Sequence, residues 1–292
     1  MKKNKKYKRI YHKSTTKYKD ALFKYIFGNE KYKQYTLSLY NALNHTYYTN
    51  TNDLEIVTLD NVLLLRMKND VAFIIDGTLN LFEQQSTLNP NMAIRMLEYV
   101  TAEISLYISN NYQDKYSSKK IEIPAPVFVV FYNGTEKHKA KDILRLSDNY
   151  IDGKKGNLEL SVFVYNLNEK EIQNRFKSCK PLNEYIWIID TIREKQNKYK
   201  DLDKSINEIF DEIPNTFILR EMLLKERRKV MSMLLTEFDE KAFKKDTYKD
   251  GYDDGVISKQ KDVATKMLTY GLLNEIISKC TGLSLDKIKN LK

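Results

Sequence analysis

The dipeptide Asp76-Gly77 lies within the stretch 69–86, which reads as a β-hairpin, and it constrains this chain more than any other feature. Both central positions of a two-residue type I′ turn need positive φ, which Gly and Asp tolerate best. With these two residues as the loop, every position on one strand acquires a fixed partner on the other, and Asp70 stands directly opposite Glu83. Gln85 lies two residues beyond Glu83, so strand alternation puts it on the same face. The rest of that face is apolar, with Ala72 and Ile74 opposite Leu81 and Leu79. Two carboxylates and an amide therefore converge where an apolar face ends.

Like charges directly opposite each other on a sheet are destabilising, and burying an unpaired carboxylate costs more still. Two resolutions stay open. The pair is either the solvated end of an ordinary hairpin or a seat for a cation. Mg²⁺ suits the second, because it keeps several waters and uses only one or two carboxylates together with substrate phosphate.

The flanking segments place the hairpin in an α/β core. Residues 20–43 carry Leu22, Phe23, Ile26 and Phe27 at helical spacing and predict a helix or helix pair. Leu54–Leu65 is expected to be extended, giving three consecutive strands with the hairpin. Asn89-Pro90 is an N-cap followed by Pro at the first helical position. The helix they open has its apolar stripe at Ala93, Ile94, Leu97, Val100, Ile104, Tyr107 and Ile108, with Arg95 one turn from Tyr99 on a shared face. Arg95 would either orient a carboxylate or reach phosphate, or else form a surface ion pair. Ile123–Tyr132, ended by Asn133-Gly134, and Leu158–Tyr165 are two further strands.

Beyond residue 180 the chain becomes helical and charged, over Glu184–Tyr199, Asp201–Ile213 and Thr216–Lys245. The basic cluster Lys225–Lys229 is expected to be a solvated face. Asp246–Gly255 is a candidate hinge. Val263–Tyr270 and Leu272–Lys279 follow as short amphipathic helices, and Ser284 is a cap for Leu285–Leu291. Such a helix pair either packs on a partner subunit or reads DNA through Lys287, Lys289 and Asn290. The expected divisions are an arm at 1–19, a core at 20–180, a helical extension at 181–245, and a hinge with a helix-turn-helix-like module at 246–292.

The net charge of +10 is concentrated in the arm, where Lys2, Lys3, Lys5, Lys6, Lys8, Arg9, Lys13, Lys17 and Lys19 meet no acid. Such an arm would attract DNA phosphate in a salt-sensitive way, or it is a solvated tail that shares the general lysine bias of the chain. No run is long enough to cross a bilayer and the N-terminus has no apolar leader, so a cytoplasmic protein without membrane contact is expected. Cys179 and Cys280 offer neither a disulfide framework nor zinc spacing and are expected to be buried. His12, His45 and His138 show no metal spacing, and each is expected on the surface or in a loop. No phosphate-binding Gly-rich loop or Ser-His-Asp order is present, which argues against nucleotide hydrolysis and covalent acyl transfer.

The block holding Asp70, Glu83, Gln85, Ser86, Asn91, Met92, Arg95 and Tyr99 resembles the Rpn family of recombination-promoting nucleases and putative transposases, within the PD-(D/E)XK nuclease superfamily. Asp20-Ala21-Leu22-Phe23-Lys24 resembles the entry helix of that family, and Thr281-Gly282-Leu283-Ser284 resembles its C-terminal segment. The chain departs from many relatives at Gln84, where they carry His, and from the wider superfamily at Gln85, where Lys is usual. The resemblance implies a central mixed sheet flanked by helices, followed by an α-helical C-terminal extension. It implies a metal-dependent DNA endonuclease in which Asp70 and Glu83 hold Mg²⁺, with Mn²⁺ able to substitute, and Gln85 orients water or phosphate. A neutral amide cannot act as a conventional general base. Arg95, Lys24 and Lys68 are the implied DNA contacts. DNA is the expected partner, with self-association through the C-terminal helices. The other readings are a weakly active or inactive DNA-binding or oligomerising protein on the same fold, and a transposase-type strand transferase.

Overall fold

The computed structural model describes residues 21–57, 70–112, 116, 118–235, 260, 263–270, 272–283 and 288. The arm at 1–19, Lys68, most of the extended stretch expected up to Leu65, the hinge at 246–255, and the helix capped by Ser284 lie outside these residues. The chain divides into two compact units, Met1–Glu237 and Phe238–Lys292.

The first unit is built on a six-stranded mixed sheet. Its strands are β1 (Glu55–Ile56), β2 (Val71–Ile75), β3 (Thr78–Gln85), β4 (Ala125–Tyr132), β5 (Lys141–Arg145) and β6 (Ser161–Asn166), in the order β1-β2-β3-β4-β6-β5. The helices are α1 (Ala21–Phe27), α2 (Lys33–Asn44), α3 (Met92–Asn111), α4 (Lys170–Arg175), α5 (Lys180–Tyr199), α6 (Leu202–Glu212) and α7 (Arg220–Lys225). β2 and β3 pair antiparallel in the register expected from the turn, with Val71 opposite Phe82 and Ile74 opposite Leu79. Asp76 and Gly77 both take positive φ, 49° and 67°, as a type I′ turn demands. β3, β4 and β6 run parallel, and α3 makes the crossover between the first two.

Alternation gives the sheet two covered faces. Ala72, Leu79, Leu81, Phe128, Val130, Val162 and Val164 pack under Met92, Ala93, Met96, Tyr99 and Val100 of α3. The other face is aromatic. Phe73 and Phe82 meet edge to face at 5.1 Å, and Phe131 touches Phe23 of α1 and Phe176 at 5.6 Å each. Tyr185 of α5 closes on Phe23 at the same separation. Pairs in this geometry contribute about 0.5–1.5 kcal/mol each beyond the area they bury.

Several local expectations are corrected. α3 begins at Met92, because the Asn89 side chain accepts from Asn91 N at 2.9 Å and makes a turn instead of a helix cap. Its buried stripe runs through Met92, Ala93, Met96, Tyr99, Val100 and Glu103, and Ile94 is exposed. The helix expected over Thr216–Lys245 starts only at Arg220 and breaks at Glu226. The carboxylate of Glu184 receives the N–H groups of Ile218 and Leu219 at 2.9 and 2.8 Å, which holds that segment out of a helix until α7 begins. β5 was not expected from the sequence. Arg227 and Lys229 of the basic cluster lie over the rings of Phe210 and Tyr25.

In the second unit, Ala264, Ile277, Leu283 and Ile288 form a small core of their own. The helix Asn274–Thr281 ends at Gly282, whose φ of 74° makes it a left-handed cap. Cys179 is buried, but Cys280 is exposed. Among the described residues, no helix is long and apolar enough to cross a membrane.

Candidate active site at the end of the hairpin

The parallel strands β3 and β4 end side by side, at Gln85 and Tyr132. Open α/β sheets bind ligands outside the carboxyl ends of such strands. β2 runs the opposite way, so its first residues start at that same end. The tight turn thus delivers Asp70 to the place where Glu83 leaves the core.

Each carboxylate accepts a backbone N–H from across the hairpin. Asp70 N donates to Glu83 Oε1 at 3.3 Å, and Gln84 N donates to Asp70 Oδ2 at 2.8 Å. Both side chains are enclosed, with 8% of Asp70 and 2% of Glu83 exposed, so the pair is not a solvated hairpin end. Burial pushes the Glu83 carboxyl up to about 7, against the opposing pull of Arg95, the Asp70 N–H and Lys24. Lys24, on α1, is the smallest of these opposing influences. Arg95 of α3 donates to Glu83 Oε2 at 3.2 Å. Its Nε and Nη2 both donate to the Tyr99 hydroxyl, at 3.1 and 2.7 Å. Burial raises the Tyr99 phenol to about 12, so it stays protonated while it accepts both bonds.

Gln85 shares the face of Glu83, but its amide is turned toward the loop before α3. Nε2 lies 2.9 Å from the thioether of Met92, and Oε1 accepts from Asn89 N at 3.2 Å. The hairpin thus joins Asp70 and Glu83, α3 adds Arg95 and Tyr99, and Gln85 links β3 to the start of α3.

On the reverse face, Gln84 is fully buried and donates to Asn133 Oδ1. Reading Asn133-Gly134 only as a strand-ending turn missed Asn133 as a support for this site. The signal was its parity with Val129 and Phe131, which turns it to the same side as Gln84.

Two buried carboxylates on neighbouring strands form an oxygen donor set of the kind a hard cation uses with waters and phosphate. Among the described residues, Glu83 carries the cost of burial with one partly exposed guanidinium as its ion-pair partner. The residues present fit a divalent cation held by Asp70 and Glu83. Among the described residues, no group of three or more His, Cys, Asp and Glu side chains gathers at metal-binding distance.

A family model described as "Putative transposase, YhgA-like" matches residues 17–167, from the segment leading into α1 to the residue after β6. No curated protein and no solved structure matches the chain.

Proposed function

This chain belongs to the YhgA-like putative transposase family, and from that premise we propose that it is a metal-dependent DNA endonuclease with its centre at Asp70 and Glu83. The observation that carries the reading is the enclosure of these facing carboxylates where the parallel strands end. A mixed sheet with helices on both faces is compatible with a PD-(D/E)XK core.

Mg²⁺, or Mn²⁺ in its place, held by Asp70 and Glu83 would polarise the scissile phosphate and lower the pKa of the attacking water. Asp70 is fixed for this by the Gln84 N–H, and Glu83 by the Asp70 N–H. Gln85 orients water or phosphate by turning Nε2 from Met92 sulfur, a weak acceptor that gives up a donor cheaply. DNA is the substrate, with Lys24 contributing positive charge beside Glu83. The C-terminal helices serve self-association, a reading supported by the exposure of Leu272, Leu273 and Ile276. The cytoplasm is the compartment that goes with DNA as substrate and two free cysteines.

The test is cleavage of supercoiled plasmid with Mg²⁺, Mn²⁺ or Ca²⁺ against EDTA. Cleavage is expected with Mg²⁺ or Mn²⁺ and is expected to disappear in Asp70→Ala and in Glu83→Ala, each checked for folding. Unchanged cutting by either variant would sink the assignment. The description of the family as transposases favours strand transfer as the second reading, and joined products would select it.

A further inference from the structure

Arg95 makes two kinds of contact with the edge of one guanidinium. Nη2 reaches Glu83 Oε2 and the Tyr99 hydroxyl, and Nε reaches the same hydroxyl. Among the described residues, Nη1 has no hydrogen-bond partner. Tyr99 therefore holds the inner edge of the fork, while Nη1 and the Glu83-facing hydrogen of Nη2 remain able to serve another oxyanion. The side chain is 34% exposed against 3% for Glu83, so Arg95 is the partner with room to move.

A cation on Glu83 and a guanidinium on the same carboxylate repel each other; the cation would be kept in place by Asp70, whereas Arg95 can let go of Glu83 and stay held by the Tyr99 hydroxyl. We propose that Arg95 is a two-position residue, serving as the counter-ion of Glu83 in the metal-free protein and as a ligand for the DNA phosphate once a divalent cation occupies the carboxylate pair. This rests on the reading of Asp70 and Glu83 as metal ligands. Pivoting on Tyr99, Arg95 keeps its bond from Nε and turns Nη1 and Nη2 toward phosphate, the bidentate geometry that guanidinium groups favour. The enclosed pair then recruits substrate only after it is loaded, because the positive charge that DNA needs is otherwise spent on Glu83.

Calorimetric titration of the full chain with Mn²⁺ tests the site, and binding of a short DNA duplex with and without Ca²⁺, which reads affinity apart from turnover, tests the switch. The wild type should take up Mn²⁺ and bind DNA more tightly with Ca²⁺. Arg95→Met should lose roughly tenfold or more of the Ca²⁺-dependent tightening, the size of one charge-assisted hydrogen bond, and lose less affinity than that without Ca²⁺. Arg95→Lys, which keeps the charge without the fork, should retain part of it and carries the comparison if the Met variant does not fold. Equal loss with and without Ca²⁺, or no loss in either variant, overturns the two-position role while leaving the metal site standing. Absence of Mn²⁺ uptake by the wild type overturns both.

Discussion

Gln84 Nε2 donates to Asn133 Oδ1 at 2.6 Å, joining β3 to the end of β4 on the sheet face opposite the carboxylates. Asn133 Nδ2 passes the connection to the Tyr185 hydroxyl of α5 at 3.1 Å, and the Arg193 guanidinium donates to the Asn133 carbonyl. Gln84 lies between Glu83 and Gln85, so this chain of amides fixes the backbone from which both project. The site is held from behind.

Asn133→Ala would strand the Gln84 amide in a buried place. A loss of about 1–3 kcal/mol in urea unfolding is expected, the cost of an unsatisfied buried donor. Tyr185→Phe removes only the outer link and should cost less. Equal stability of Asn133→Ala and wild type would mean that the network does not stabilise the fold.

Gly134 leaves no room for a side chain, since a Cβ there would collide with the Ser86 carbonyl oxygen and the Tyr132 ring. Gly134→Ala is expected to destabilise by about 1–3 kcal/mol through overpacking. Its thermal midpoint, compared with that of a surface alanine variant, decides the point.

The pH dependence of the metal-free protein follows from Glu83. Its carboxyl titrates near about 7 in the folded chain against 4.5 in the unfolded one, so between these values the folded state keeps a proton that the unfolded state has shed. The contribution is complete below about 4.5 and is lost as pH rises through about 7, at most ~3 kcal/mol in all. Chemical denaturation across that window should show stability falling with pH, and Glu83→Gln should flatten the fall. A variant with the wild-type slope would assign the proton elsewhere.

The two cysteines should separate cleanly under alkylation. Exposed Cys280 is expected to react with a water-soluble maleimide in the native protein, whereas Cys179, fully buried and with its thiol pushed up to about 11 by that burial, should react only after denaturation. Mass spectrometry of the labelled peptides reads both.

Self-association is expected to depend on Leu273 and Ile276, which are 68% and 43% exposed. Replacing both with Asp should lower the oligomeric state in sedimentation while leaving the sheet-containing unit folded. An unchanged sedimentation coefficient would move the interface elsewhere.

The hairpin was legible because its turn chemistry and its alternation agree. Asp76-Gly77 sets the register, and the register sets the facing of Asp70 and Glu83. The βαβ crossover was legible for a similar reason, since β4 is a continuous apolar run that follows the helical pattern of α3. β5 was not, because Lys141-Asp142-Ile143-Leu144-Arg145 is an edge strand with charges at both ends and little to bury. The start of α3 was misplaced because Asn89 can cap a helix or make a turn, and the neighbouring Gln85 amide decides between them. Ile94 counted as core by its chemistry, yet helix rotation against the sheet is set by Met92, Met96 and Tyr99. The pairing of Glu83 with Arg95 depends on how α3 lies over β3, which no local pattern encodes.

The Asp76-Gly77 turn also sets a parity rule for any change in this chain. Face assignment along β3 alternates residue by residue, so one residue inserted into the turn, with β2 held in place, would turn Gln84 toward α3 and send Glu83 into the aromatic layer. Two inserted residues would restore the faces and displace Glu83 along the strand. Length variation at this loop is therefore quantised, and a chain that keeps the two carboxylates directly opposite each other must also keep its two-residue turn.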